Sequence, residues 1–135
     1  TIKIRSSSLR LQTQARGNGK IMIEITLPWP PSLNTYWRQY NGRSILSEKG
    51  RAYRRAVMTL CLQQRVETIT GPIKMEIVAY RPDNRKRDLD NLLKAALDGM
   101  AKGLIYEDDA QIKDLSIKWA ETIGGMLKIK IEVIQ

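Results

Sequence analysis

Asp88, Asp90 and Lys94 lie in the run Arg85-Lys86-Arg87-Asp88-Leu89-Asp90-Asn91-Leu92-Leu93-Lys94. Three consecutive cations lead into two carboxylates spaced i, i+2, and a lysine follows four positions after the second. Basic residues attract a polyanion, whereas paired carboxylates repel one unless a cation lies between them. Side by side, the two suggest a metal ion bridging protein and phosphate. The same letters also describe a charged loop leading into a helix whose dipole favours acids in its first turn. The decapeptide alone leaves both readings open.

The side-chain inventory narrows the chemistry. Histidine is absent from all 135 residues, which removes imidazole bases, Ser-His triads and the commonest zinc ligands. The single cysteine, Cys61, excludes an internal disulfide and a thiolate zinc site within one chain. Its helical neighbours Val57 and Leu60 make it a buried free thiol of a reducing compartment. Any metal is then a hard ion with oxygen ligands: Mg²⁺, Mn²⁺ or Ca²⁺. An EF-hand loop beginning at Asp88 fails, because Leu93 and Gly99 stand where it needs glycine and glutamate. A nucleophilic aspartate of the phosphatase type would follow a buried apolar strand, and Arg85-Lys86-Arg87 stands there instead. What survives is a metal-dependent phosphodiesterase or a nucleic-acid binder without catalysis. In the first, carboxylates hold the metal and a lysine offsets charge developing on phosphate.

These residues need elements to position them. Leu89, Leu92, Leu93, Ala96, Leu97 and Met100 recur at helical spacing, which predicts an amphipathic helix ending at Gly103. Asp88 falls at its N-cap, and Asp90 and Lys94 stack one turn apart. Upstream, Ile21, Ile23, Ile25 and Leu27 alternate as a strand that Pro28-Trp29-Pro30-Pro31 terminates. Ser32 to Tyr40 then reads as a loop or short turn whose aromatics beside Arg38 either stack on unpaired bases or anchor the loop to the core, and in which Asn34, Trp37 and Arg38 are candidate DNA contacts. Asn41-Gly42-Arg43 is a turn signal. Ser47 is a plausible cap for a helix over 48–66, whose Arg51, Arg54 and Arg55 are candidates for following phosphates. Ile73–Tyr80 alternates as a second strand, and Ile112 to about Thr122 reads as a third. Gly124-Gly125 predicts a hairpin into a last strand carrying Leu127, Ile129, Ile131 and Val133. The order is β-loop-α-β-α-β-β: one small α+β domain with a four-stranded mixed sheet and two main helices. Tyr106-Glu107-Asp108-Asp109 supplies three more acids ahead of the third strand.

Net charge is +9. Residues 1–21 hold Lys3, Arg5, Arg10, Arg16 and Lys20 without an acid, and the other 18 cations and 14 anions leave +4 on the rest. A basic body favours a polyanionic partner, nucleic acid above all. Residues 1–21 show no sustained hydrophobic period, so they are set aside from the fold as vector-derived residues or a flexible basic arm. No apolar run approaches the roughly 20 residues of a membrane span, and no secretory leader pattern is present.

Four blocks then resemble, in order, the RusA family of Holliday junction resolvases. They are Leu27-Pro28-Trp29-Pro30-Pro31-Ser32-Leu33-Asn34-Thr35-Tyr36-Trp37-Arg38, Ser47-Glu48-Lys49-Gly50-Arg51-Ala52-Tyr53-Arg54, Arg87-Asp88-Leu89-Asp90-Asn91-Leu92-Leu93-Lys94-Ala95-Ala96-Leu97-Asp98, and Asp108-Asp109-Ala110-Gln111. The resemblance covers residues 22–135. It implies a homodimeric, Mg²⁺-dependent endonuclease, with Mn²⁺ as a substitute and no small-molecule cofactor, that cuts four-way DNA junctions by paired symmetric nicks. It further implies a cytoplasmic protein of bacterial or prophage origin. Carried over by position, Asp88, Asp90 and Asp109 are the catalytic, metal-binding acids and Lys94 the essential cation, with Asp108 supporting. Arg85, Lys86 and Arg87, with Arg51, Arg54, Arg55, Asn34, Trp37 and Arg38, are the expected DNA contacts. A junction-binding protein of the same fold that does not cut is the alternative. An RNA- or protein-binding module would leave the acid–lysine arrangement unexplained.

Overall fold

The computed structural model describes residues 12–15 and 21–134. A five-stranded sheet in the order β1-β2-β7-β5-β6 carries the domain. Its strands are β1 (Gln12–Ala15), β2 (Ile21–Pro28), β5 (Ile73–Tyr80), β6 (Ile112–Trp119) and β7 (Met126–Val133). Alternation decides which face is covered: Ile23, Ile25 and Leu27 of β2, Ile73, Met75, Ile77 and Ala79 of β5, and Leu127, Ile129 and Ile131 of β7 are all buried. Each such large aliphatic side chain contributes about 1.5–3 kcal/mol. The four expected strands, the two main helices and their order are present.

Two expectations about the main sheet are corrected. The segment set aside from the fold contributes β1, which pairs antiparallel with β2 from Gln12 opposite Glu24 to Ala15 opposite Ile21. Backbone pairing at a sheet edge needs no apolar period, which is why the sequence gives no warning of it. Residues 1–11 and 16–20, and the basic side chains expected there, lie outside the described residues. Nor do β6 and β7 form a hairpin. β7 pairs antiparallel with both β2 and β5, while β6 pairs parallel with β5 alone. Gly124 and Gly125 donate backbone N–H bonds to the carbonyls of Arg81 and Tyr80, hooking the chain across the end of β5. The alternating apolar face of β7 is then buried at the centre of the sheet.

Helix α2 (Glu48–Gln63) is capped by Ser47, whose hydroxyl accepts from the Gly50 N–H at 3.0 Å. It ends earlier than expected because Arg65 adopts φ +53° and turns the chain. Cys61 faces the core from this helix, and burial pushes its thiol up to about 11. The short helix α1 (Leu33–Tyr36) and a hairpin, β3 (Trp37–Tyr40) with β4 (Arg43–Leu46), replace the expected loop. Asn41 and Gly42, both at positive φ, make the tight turn that the Asn-Gly pair signals.

Helix α3 (Leu89–Lys102) supplies the crossover that the parallel pair β5 and β6 requires. Its buried residues are Leu92, Ala95, Ala96, Gly99 and Met100. The stripe is rotated from the expected one because Gly99 lets the Tyr53 ring approach so closely that a Cβ there would lie 2.8 Å from it. Leu93 and Leu97 are left half-buried at the margin. That rotation matters for what the exposed side of α3 presents.

Candidate active site

Asp88 takes the N-cap position of α3 in extended conformation (φ −93°, ψ 130°), yet its carboxylate makes no capping hydrogen bond. Capping therefore does not account for this acid. Asp90 follows in the first turn and Lys94 one turn on, both exposed. The basic run before them is held in place. Asp83 accepts from the Arg85 backbone N–H at 2.9 Å and pairs with the Arg87 guanidinium at 2.8 Å. Those bonds, the Arg87 side chain first, hold the Asp83 carboxyl down to about 2. Arg87 also lies over the Trp29 ring at 5.6 Å, and Trp29 stacks on Trp119 with centroids 6.2 Å apart.

This brings two distant sequence blocks together. The loop around Pro30 and the basic run face each other across a cleft of about 630 Å³, lined by Trp29, Leu33 and Asn34 on one side and by Lys86, Arg87 and Asp88 on the other. A second, shallower hollow of about 370 Å³ opens further along α3. Lys94, Leu97 and Asp98 line it from the helix, and Asp109 from the turn beyond.

Asp109 opens a 3-10 turn (Asp109–Gln111) fixed at every polar position. Asp108 caps it, accepting from the Ala110 N–H at 2.8 Å. Gln111 accepts from the Glu107 and Asp108 N–H groups, and its amide donates to the carbonyls of Ile69 and Gly71. Asp108 is thus engaged in capping this turn. The fully buried Tyr106 donates its hydroxyl to Asp109 Oδ1 at 2.8 Å and also lies 3.2 Å from the Leu97 carbonyl oxygen. Burial, followed by the Asp109 bond, pushes the Tyr106 phenol far above its ordinary range, so it stays a donor.

The expected site residues are thus distributed around the exposed side of α3. Lys94 and Asp109 share the hollow, Asp88 lines the cleft, and Asp90 lines neither. Among the described residues, no three acids or other ligand types gather as a metal-holding group. Mg²⁺ is commonly held by one or two carboxylates together with phosphate oxygens and water. The oxygen-only donors fit that mode, not a closed three-carboxylate cage within one chain.

Of the expected DNA contacts, Asn34 lines the cleft, Lys86 is exposed, and Arg85 is 83% exposed beside Asp83. Arg38 is exposed on β3. Arg51 and Arg55 both pair with Glu48 on their own helix. Arg54 is engaged inward. It grips Asp98 of α3 through two 2.8 Å bonds and lies over the half-buried Trp37 ring at 5.6 Å. The buried Tyr36 donates its hydroxyl to the same carboxylate. The sequence assigns no role to Asp98 or Tyr106, which the structure places in these contacts. Asp98 is detectable, lying four residues beyond Lys94 on one helix face, whereas no local signal marks Tyr106.

The family model for Endodeoxyribonuclease RusA matches residues 28–133. The chain belongs to the RusA family. Its similarity to RusA-family members spans most of both chains. Crossover junction endodeoxyribonuclease RusA of Shigella sonnei is 43% identical over 109 residues, 79% of this chain and 91% of that protein. The Escherichia coli protein of the same name shows the same identity and coverage. The crossover junction endodeoxyribonuclease of Enterobacteria phage HK97 is 39% identical over 114 residues, covering 83% of this chain and 95% of the relative. Among the described residues no helix is long and apolar enough to cross a membrane. RusA nucleases imply a divalent metal requirement, and the uncommitted carboxylates of this chain suit one.

Proposed function

We propose that this RusA-family chain is an endonuclease that resolves four-way DNA junctions by paired symmetric nicks, with Mg²⁺ as its ion and Mn²⁺ as a substitute. The observation that carries the reading is Asp88: a helix-capping acid whose carboxylate caps nothing, set between a cationic cleft and the exposed face of α3. Within a family of endodeoxyribonucleases, an acid released from structural duty at the edge of a phosphate-attracting surface is suited to catalysis.

Asp88 and Asp90 would hold the ion at the mouth of α3, with Asp109 the third acid of the site. A divalent cation bound there supplies Lewis acidity and charge neutralisation at the scissile phosphate. Lys94, exposed opposite Asp109, offsets negative charge that builds up on phosphate during cleavage. Tyr106 and Gln111 keep Asp109 oriented, and the Arg54–Asp98 grip keeps α3 registered against α2. Lys86 and Arg85 offset the repulsion between acids and DNA and follow its phosphates. Selection of junctions rests on branched shape and deformability rather than on base sequence alone.

Two opposed nicks need two active sites related by a twofold axis, and an isologous dimer supplies them. The test incubates end-labelled four-way junction with Mg²⁺, with EDTA, and with an Asp90→Asn variant. Paired nicks in Mg²⁺ alone, absent in the variant, support the proposal. Junction binding without nicks, indifferent to Mg²⁺, would instead identify a binder of the same fold. Sedimentation of the free protein as a monomer at working concentration would sink the dimer.

A further inference from the structure

We infer that the cleft between the Trp29–Asn34 segment and the basic run receives one unpaired nucleotide extruded at the branch point, with its phosphate beside Asp88. This rests on the junction-nuclease reading and adds to it the place and state of the nucleotide next to the cut.

Size comes first. The cleft's roughly 630 Å³ falls in the range of about 300–1,000 Å³ typical of sites for small molecules. A duplex backbone passing over a surface leaves such a hollow unfilled, because its bases stay stacked inside the helix. Only an unstacked base can enter.

The lining separates into two kinds. Trp29, Pro30, Leu33, Pro82 and Leu92 make part of the lining apolar. A groove that merely tracked phosphates would not need apolar lining, whereas the face of a base does. Arg87, 5.6 Å from the Trp29 ring centroid and paired with Asp83, adds a guanidinium to this lining, a group on which bases can stack. Three of the lining residues are prolines, which have no backbone N–H to leave unsatisfied when a base covers them.

The rim is cationic and amide-bearing. Arg85 and Lys86 stand at the edge, where the nucleotide's phosphate must remain. Asn34 and Asn91, exposed on opposite sides, each offer a donor and an acceptor for a base edge. The charge pattern of the cleft therefore matches the layout of a nucleotide: base inside, phosphate at the mouth. Since Asp88 lines the same cleft, the bond next to the captured nucleotide is the one brought to the acids.

The experiment places 2-aminopurine at the branch-point nucleotide of a four-way junction, or ten base pairs out along an arm, with Ca²⁺ replacing Mg²⁺ and strand integrity checked on a denaturing gel. Wild type should raise emission severalfold at the branch point only, and Asn91→Trp, which fills the cleft from an exposed helix position, should abolish the rise. With 5-iodouracil at the same position, irradiation should attach the DNA to the peptide containing Trp29. No rise, a rise kept in Asn91→Trp, or cross-links mapping elsewhere while wild type still nicks junctions would overturn the pocket and leave the nuclease standing. If wild type neither binds nor nicks four-way DNA, the nuclease reading fails and the pocket fails with it.

Discussion

Arg54 on α2 meets Asp98 on α3 through two parallel hydrogen bonds, Nε to Oδ2 and Nη2 to Oδ1, each 2.8 Å long. Both side chains are largely shielded, at 23% and 20% exposure, and Tyr36 donates to the same carboxylate. A guanidinium–carboxylate fork of this kind fixes orientation as well as distance. It ties the helix that carries Asp90 and Lys94 to the helix behind it. Arg54→Ala would leave Asp98 half-shielded and short of its partner, at a cost of about 2 kcal/mol. Arg54→Lys should recover only part of this, since an ammonium cannot reproduce the fork. Urea denaturation of the two variants measures both values, and equal stability of wild type and Arg54→Ala would show the fork to be dispensable.

The same contact separates Arg54 from the cations that face outward. Lys86 stands exposed at the cleft edge, whereas the Arg54 guanidinium is already spent on Asp98. Each phosphate contact removed lowers the slope of log affinity against log salt by about 1. Lys86→Ala should therefore flatten that slope by about one unit for four-way DNA, and Arg54→Ala should leave it unchanged. Fluorescence anisotropy across a salt series reads both slopes. A flatter slope for Arg54→Ala would return that residue to the DNA surface.

The contrast shows what the sequence could and could not carry. Alternation and helical spacing are local properties, so β2, β5, α2 and α3 were legible, as were Ser47 as a cap and Asn41-Gly42 as a turn. Strand order is not local. The run Leu127 to Val133 reads alike as a hairpin partner of β6 or as a central strand between β2 and β5, and only the packing of the whole sheet selects the second. The run Arg85 to Lys94 marks a charged helix entry from its letters alone, but roles for Asp88, Asp90, Lys94 and Asp109 come from the family resemblance and not from spacing, since Asp109 lies beyond the helix. The Arg54–Asp98 fork has no local signal, because an arginine on a helix looks solvated until its partner, 44 residues away, is known. Tyr106 was silent for the same reason, as its role exists only through the fold.

Asp83 makes a prediction in pH. Its folded value, about 2, lies below the ordinary aspartate value of about 3.9. A depressed carboxyl stabilises the folded loop above its unfolded value, and that contribution is lost as pH falls through about 2. The basic run should therefore stay docked on Asp83 and Trp29 from neutral pH down to about 4. Carbon-detected NMR of the Asp83 carboxyl follows this directly. A midpoint near 4 would mean that Arg87 is not held as described, and with it the guanidinium that lines the cleft beside Asp88 would be lost.

Tyr106→Phe isolates the orientation of Asp109. The Tyr106 ring is fully buried, and phenylalanine fills nearly the same space, so the change removes one hydroxyl and its 2.8 Å bond to Asp109 Oδ1. The loss of that bond should cost about 1 kcal/mol of stability. Removing a group that orients a metal ligand typically weakens affinity or activity by about 10–100-fold. If Asp109 belongs to the ion site, the Mg²⁺ concentration for half-maximal junction cleavage should rise by about tenfold. Direct titration with Mn²⁺, followed by loss of its free electron-spin signal, should show the same shift without any turnover. Junction affinity in EDTA should not change, because Tyr106 touches no surface that DNA can reach. A small loss of stability with an unchanged metal requirement would mean that the bond serves the turn alone, and Asp109 would then have to be removed from the ligand set.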